Sequence, residues 1–473
     1  MTSPPLLSRW SRPATMAWAG FIARELAIFI GRTYRVSRLE GSFGFGWETG
    51  RIARSIALGH GFSSPFVAGT GPTAWLAPIY PYLLAGVFKL FGVYTTSSAI
   101  VILSINSVFS ALTVLPIYYI AKRAFGVRAA WWSGWFAALF PYAWYWAIKW
   151  AWETSLATLL LACVFLVSMR MAGVRQVSKS TWEFAPVSRW RQWLLFGLLW
   201  GLIALVNPSL LLWLPFAGVW LLLKQIKTEH SRRALPMAVA AGVVFISLLA
   251  PWIIRNERVF HRFIPVRGNF WAELRMGNAD DAVGLWRSWM HPSSNVLELQ
   301  KYEQMGEVAY VQSKKQDALN FIRSHPGRFV VLCIRRAVFY WYGTPRDTGM
   351  ELLSESRNLG FLLSSILAFA GLWVMWRKKN PATFLFASLL FAAPLIYYVT
   401  FPHPRYRAPI EPQMLILAVG LFLAAEPRMP VQAAYTASTE TAETTADAHY
   451  CFAKICDRFC ASPAAALDRA ACV

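Results

Sequence analysis

PIYPYLLAGVFKLFGVY, residues 78–94, decides how the whole chain is laid out. The stretch is apolar but short, with Pro81 inside it and Lys89 near its end. If it crosses a bilayer, Lys122, Arg123 and Arg128 land on the outer side, and every later basic cluster changes side with them. If it lies in the interface as an amphipathic helix, those residues stay with the basic N-terminus, and Lys and Arg gather on the cytoplasmic side at five places. The interfacial reading is the consistent one. The same reasoning covers FVVLCIRRAVFYWYGTP, 329–345, which carries Arg335 and Arg336 at its centre. Two lipid-facing charges at mid-bilayer cost roughly 5–7 kcal/mol on the insertion scale, so this segment too is expected in or near the outer interface.

With both segments set aside, ten spans remain. They fall at about 13–31, 97–121, 129–146 and 153–170, then at 193–223 as a hairpin of two spans broken at Asn207-Pro208, and at 236–254, 358–376, 382–400 and 409–425. Composition agrees: 56% of the 473 residues are hydrophobic and 15% charged, against about 45–50% and 25% in soluble chains. The expected fold class is an all-α polytopic membrane protein with about ten transmembrane helices, interfacial helices in the first outer loop and a large second one. It occupies 1–426 as one domain. The Ala/Thr-rich tail, 427–473, is expected to be disordered and cytoplasmic, with its cysteines reduced. The basic and then apolar start has no clear cleavage site and reads as an uncleaved first span.

The formal net charge is +22. The Lys and Arg residues punctuate apolar segments, as topology signals and headgroup contacts do, instead of forming the soluble basic face that nucleic acid requires. No repeat or inverted half suggests a transporter. No Walker loop or HExxH motif points to NTP hydrolysis or zinc proteolysis.

The charge count puts four loops on the outer side: 32–96, 147–152, 255–357 and 401–408. They hold most of the unusual chemistry. FGWETGRIARSIALGHGFSSPF, 45–66, reads as a short amphipathic helix beginning at Glu48 and ending at Gly59 and Gly61, with Arg51 and Arg54 on it. A carboxylate there can accept a proton from an attacking hydroxyl; equally, it can sit on the helix dipole while the arginines bind lipid headgroups. In 71–92, Tyr80 and Tyr82 between prolines can wall a cleft or anchor the interface. FPYAWYWAIKWAWETS, 140–155, crowds Trp150 and Trp152 around Lys149 and Glu153. An aromatic belt accounts for the rings but not for the acid and base beside them, and such rings stack well on sugars. PWIIRNERVFHRFIPVRGNFWAELRMGN, 251–278, brings Arg255, Arg258, Arg262 and Arg267 out of a span, suiting phosphate or lipid headgroups. The most specific stretch is TFPHPRYRAPIEP, 400–412. Prolines fix its backbone, and His403, Arg405, Tyr406 and Arg407 supply phosphate-type donors.

Together these segments resemble the GT-C superfamily of glycosyltransferases that use lipid-linked sugars, in the branch of bacterial relatives of protein mannosyltransferases and the lipid A aminoarabinose transferase. The resemblance covers about 45–425. It rests on GFGWETGRIARSIALGHGFSSPF, on Pro78-Ile-Tyr-Pro followed by KLFGVY, on AKRAFG (121–126), GLIALVNPSLLLWLP (201–215), PWIIRNERVF and HPRYRAPIEP, in that order. It implies inverting transfer of a monosaccharide from a polyprenyl-phosphate donor to a lipid, glycan or protein acceptor, on the periplasmic side of the bacterial inner membrane. It also implies a catalytic carboxylate at Glu48, acting as base or acceptor-positioning group, a second catalytic carboxylate at Glu153, and donor-phosphate ligands at Arg405 and Arg407 with His403 and Tyr406 beside them. Arg255 and Arg258 are added from the charge pattern as further phosphate ligands, and Arg51, Arg54, Tyr80, Tyr82, Trp150 and Trp152 as substrate contacts. Relatives often carry an acidic pair where this chain has Trp47-Glu48, so a metal of the two-acid type is not supported and no cofactor is required. The alternatives are a ligase or polymerase acting on a lipid-diphosphate glycan, and a non-enzymatic lipid or glycolipid transporter.

Overall fold

The computed structural model describes residues 12–178, 181–186, 189–226, 231–345 and 351–425. The expected tail, 427–473, lies outside the described residues. Among these, seven helices are long and apolar enough to cross a membrane: Pro13–Ile30, Thr96–Phe125, Thr154–Met171, Pro208–Ile226, Ala234–Phe260, Ser356–Arg377 and Pro404–Ala425. The other three expected spans coincide with shorter or broken helices, and proline explains two of the breaks. Val127–Leu139 stops at Phe140, extended at φ −72° and ψ 119° because Pro141 follows, and Pro141–Lys149 continues in a new direction. Thr383–Ala392 and Leu395–Val399 are separated at Pro394. Trp190–Val206 ends at Asn207, which precedes Pro208 and accepts the Ser209 N–H at 3.3 Å, giving the expected hairpin.

One short element departs from the helical pattern. The basic stretch after Met171 contains an antiparallel β-hairpin, Val174–Ser178 with Thr181–Phe184. It packs on the Val114–Phe125 helix, where Arg123 donates to the Val174 carbonyl at 2.9 Å.

Helix ends inside the apolar body need partners, since lipid offers none. Arginine supplies them. Arg24, buried in the first helix, donates to the Ala138 and Ala137 carbonyls at 2.9 and 3.1 Å, closing the end that Pro141 leaves open. It also reaches Ser110 Oγ at 3.0 Å.

The two segments read as interfacial are both helical. Ile79–Phe91 has 13 residues, about 20 Å at 1.5 Å per residue, short of the ~30 Å hydrocarbon core. It packs on Glu48–Ala57 through Phe45, Ala53, Leu84 and Phe88. Pro326–Tyr342 carries Arg336, fully buried and turned inward. Arg336 donates to the Val399 and Tyr398 carbonyls at 3.0 and 3.2 Å, to Asn278 Oδ1 at 3.1 Å and to the Gly277 carbonyl. The assumption that both arginines would face lipid therefore fails for Arg336.

The long loops 32–96 and 255–357 are fastened to one another by Glu307. It lies just after Gly306, the kink within Val296–Ser324 at φ 74°. Its buried carboxylate accepts from the Ala74 N–H at 2.7 Å, Tyr302 Oη at 2.8 Å and Thr73 Oγ1. Burial raises its pKa, and these three donors pull the other way.

Candidate functional site

Ser42 and the left-handed Gly46 (φ 84°) turn the chain into Glu48–Ala57, so Glu48 is the first residue of a helix whose dipole favours a carboxylate. Trp47, just before it, holds φ 53° and ψ −110°, a conformation strained for a residue with a side chain. Its indole lies flat against the imidazole of His291, with centroids 4.8 Å apart and planes at 24°.

Glu48 opens into a cleft of about 250 Å³ whose walls come from four regions of the chain. Trp47 and Glu48 supply one wall and Trp152 another. Arg267, Asn269, Glu273 and His291 come from the long loop, and His403, Arg405 and Tyr406 from the last helix junction. The loops that the charge count assigned to one side thus meet here.

His291 Nε2 lies 3.1 Å from Glu48 Oε1. Burial alone would raise the Glu48 pKa, but the hydrogen bond from His291 and the Arg405 charge pull it the other way, holding the carboxyl below its ordinary range. At the other end, the Arg405 guanidinium sits 4.3 Å from the Trp152 ring centroid and 5.1 Å from that of Tyr406. Arg405 forms no ion pair among the described residues, although Glu48 and Glu153 are within electrostatic reach. Its backbone N–H donates to His403 Nδ1 at 3.2 Å, so a neutral His403 carries its proton on Nε2. Tyr406 stacks on Tyr397 at 4.4 Å.

Behind the Trp152 wall lies a larger and mainly apolar groove of about 410 Å³ between helices. Phe140, Tyr142, Phe361, Leu363 and Leu415 line it, and Arg357 stands in its wall. Trp146 belongs to this groove and stacks on Trp152 with centroids 5.9 Å apart. Groove and cleft therefore meet at a pair of indoles.

Of the residues singled out from sequence, the structure gathers Glu48, Trp152, His403, Arg405 and Tyr406 in the cleft. Trp150 stacks behind Trp152 at 5.2 Å. Glu153 begins the next helix and stays outside the wall. Arg407, placed with the phosphate ligands, is buried and committed elsewhere: it bonds Glu411, Ser364, Ser365 Oγ at 2.9 Å and the Trp341 carbonyl at 3.1 Å. Arg255 grips the first loop instead of a ligand, donating to the Thr73 and Phe62 carbonyls at 2.7 and 2.8 Å. Arg258 is exposed on the same helix, outside the cleft.

Arg51 is turned inward to Ser293 Oγ at 2.8 Å, not outward to headgroups. Arg54 pairs with Glu40. Tyr80 is buried against Asn106 at 2.9 Å, and Tyr82 packs beside Phe62. Sequence reading missed His291 altogether. Of the cleft's carboxylates, Glu48 is engaged by His291, and Glu273 by Arg267 at 3.0 Å and Asn269 at 2.7 Å. No three His, Cys, Asp or Glu side chains converge among the described residues.

No family model matches the sequence, and no curated protein does. Solved structures do. The archaeal oligosaccharyltransferase AglB from Archaeoglobus fulgidus, in complex with an inhibitory peptide and a dolichol-phosphate, superposes with a TM-score of 0.53 at 13% identity, over 93% of this chain and 55% of its own. An A. fulgidus oligosaccharyltransferase in complex with Zn and sulfate gives 0.50 at 13% identity, over 86% and 49%. ArnT from Cupriavidus metallidurans, bound to undecaprenyl phosphate, gives 0.39 at 13% identity, over 85% and 76%. The chain spans about half the length of the oligosaccharyltransferases it matches. At this identity the likeness concerns architecture, and there it agrees with the expected fold class: this is a membrane protein with the fold of the oligosaccharyltransferases it superposes on.

Proposed function

We propose that this protein transfers a monosaccharide, with inversion, from a polyprenyl-phosphate donor to a lipid, glycan or protein acceptor at the outer face of the bacterial inner membrane. The observation that carries the reading is the pairing of Glu48 and Arg405 across one cleft, next to an apolar groove. A dolichol-phosphate accompanies the AglB neighbour, and a polyprenyl chain suits a groove of this lining.

In the proposed reaction Glu48 accepts the proton of the acceptor hydroxyl as its oxygen bonds to the anomeric carbon. The bond from that carbon to the phosphate oxygen breaks, and the phosphate leaves with the electron pair. Arg405 meets the growing charge, with His403 Nε2–H and the Tyr406 hydroxyl beside it. Displacement in one step inverts the anomeric centre. The phosphate is already a good leaving group, so a single carboxylate suffices and the two-carboxylate arrangement of glycosidases is not needed.

The test is Glu48→Gln in the purified, detergent-solubilised chain, given a panel of undecaprenyl-phosphate pentoses and hexoses. Sugar transfer is expected to fall about 10²- to 10⁴-fold with undecaprenyl-phosphate binding retained. Wild-type rates in the variant would remove Glu48 from the reaction.

A further inference from the structure

We infer that His291 is the positioning residue of Glu48, held as an Nε2–H donor by its own His-Pro-Ser turn. The inference rests on the proposed role of Glu48 and extends it.

The Ser293 N–H donates to His291 Nδ1 at 3.2 Å. Pro292, between them, has no N–H to compete. With Nδ1 an acceptor, the neutral ring carries its proton on Nε2, the nitrogen 3.1 Å from Glu48 Oε1. A second tie fixes the same turn: Arg51 Nη1 donates to Ser293 Oγ at 2.8 Å. Glu48 and Arg51 stand three residues apart on one helix face, so the helix grips the turn at two points. The imidazole is 3% exposed. Trp47 covers its face, and Phe66 and Trp75 approach edge-on at 5.4 and 6.0 Å. The strained backbone of Trp47 is what brings that indole onto the ring. A histidine that only filled space would need neither the fixed donor direction nor the second tie.

The contact also bears on ionisation. Glu48 faces His291 from the long loop, Arg51 from its own helix and Arg405 from the last junction, with Arg267, Glu273, His403 and Tyr406 around the same cleft. Burial raises the Glu48 pKa, and the largest opposing influence is His291. Removing it should move Glu48 upward.

Carbodiimide modifies protonated carboxyls, so mass-spectrometric mapping of Glu48 labelling against pH reads this directly in the full chain. His291→Phe keeps the stacking ring and removes the donor, whereas His291→Gln keeps a donor. In His291→Phe the labelling midpoint is expected to rise by about one pH unit or more, and His291→Gln should restore most of it. Sugar transfer in His291→Phe should lose about 10- to 100-fold in kcat, with donor KM within about 3-fold of wild type. If His291→Phe does not fold, His291→Asn, too short to reach Glu48, takes its place. Identical labelling profiles in the donorless variant and wild type, or in the Phe and Gln variants, would overturn the inference. If Glu48→Gln still transfers sugar while the labelling shift is present, the base assignment falls and the positioning contact stands.

Discussion

Arg405 and Arg407 are separated by one tyrosine, yet they do opposite work. Arg407 is buried at a helix junction with its guanidinium bonded to Glu411, two serines and the Trp341 and Phe361 carbonyls. Arg405 lies on the Trp152 ring at the edge of the cleft, with no ion pair among the described residues. Arg24, Arg255 and Arg336 belong with Arg407, since each ties off backbone carbonyls. In a membrane protein an arginine near a loop is therefore of two kinds. One kind binds backbone carbonyls inside the fold, and the other lies on aromatic rings at the edge of a cleft.

This contrast can be broken by experiment. The largest effect should come from Arg407→Ala, which removes the ion-pair partner of the Glu411 carboxylate and leaves Ser364 and Ser365 to satisfy the Trp341 and Phe361 carbonyls alone. A loss of about 3–5 kcal/mol of stability is expected, read as a lowered unfolding midpoint in detergent. Equal stability to wild type would put Arg407 in the wrong class. Arg405→Ala should leave the unfolding midpoint in place and weaken undecaprenyl-phosphate binding by about 10- to 100-fold, the equivalent of ~1.5–3 kcal/mol for hydrogen bonds to a charged group. Unchanged affinity would remove the phosphate site. Arg258→Ala, at an exposed position outside both classes, should move stability by no more than about 0.5 kcal/mol and leave binding alone. A clear defect there would show that the cleft does not contain the whole binding surface.

Much of this arrangement was legible in the sequence, and for physical reasons. Charge asymmetry reports on topology directly, so counting Lys and Arg put the loops bearing Glu48, Trp152 and Arg405 on one side. The Glu48 helix could be read from its spacing, and its end from Gly59 and Gly61, both left-handed in the structure at φ 88° and 71°. The division among arginines was not legible. Whether a guanidinium meets a carbonyl or a ligand depends on helix ends far away in the chain, and local pattern carries no trace of them. His291 was missed for the same reason, because its partner is in another loop. One local sign was present: His291-Pro-Ser repeats the form of His403-Pro-Arg, and in both the backbone N–H two residues on binds Nδ1 at 3.2 Å. The strand pair at 174–184 went unread because a basic stretch between spans was taken to be loop.

The reach of Arg336 and Asn278 to the end of the Leu395–Val399 helix has a consequence for engineering. Those two side chains supply the donors that the unwound backbone ahead of the HPRYR junction needs, through Asn278 Nδ2 to the Val399 carbonyl at 2.9 Å and the Arg336 contacts. The long 255–357 loop is therefore tied into the helical scaffold and is not an appendage on it. A chimera that grafts another protein's loop between the flanking spans would have to carry an equivalent arginine and asparagine, or also replace the helix ends they hold. Truncating the loop to obtain a smaller catalytic unit should fail at the membrane before it fails at the cleft.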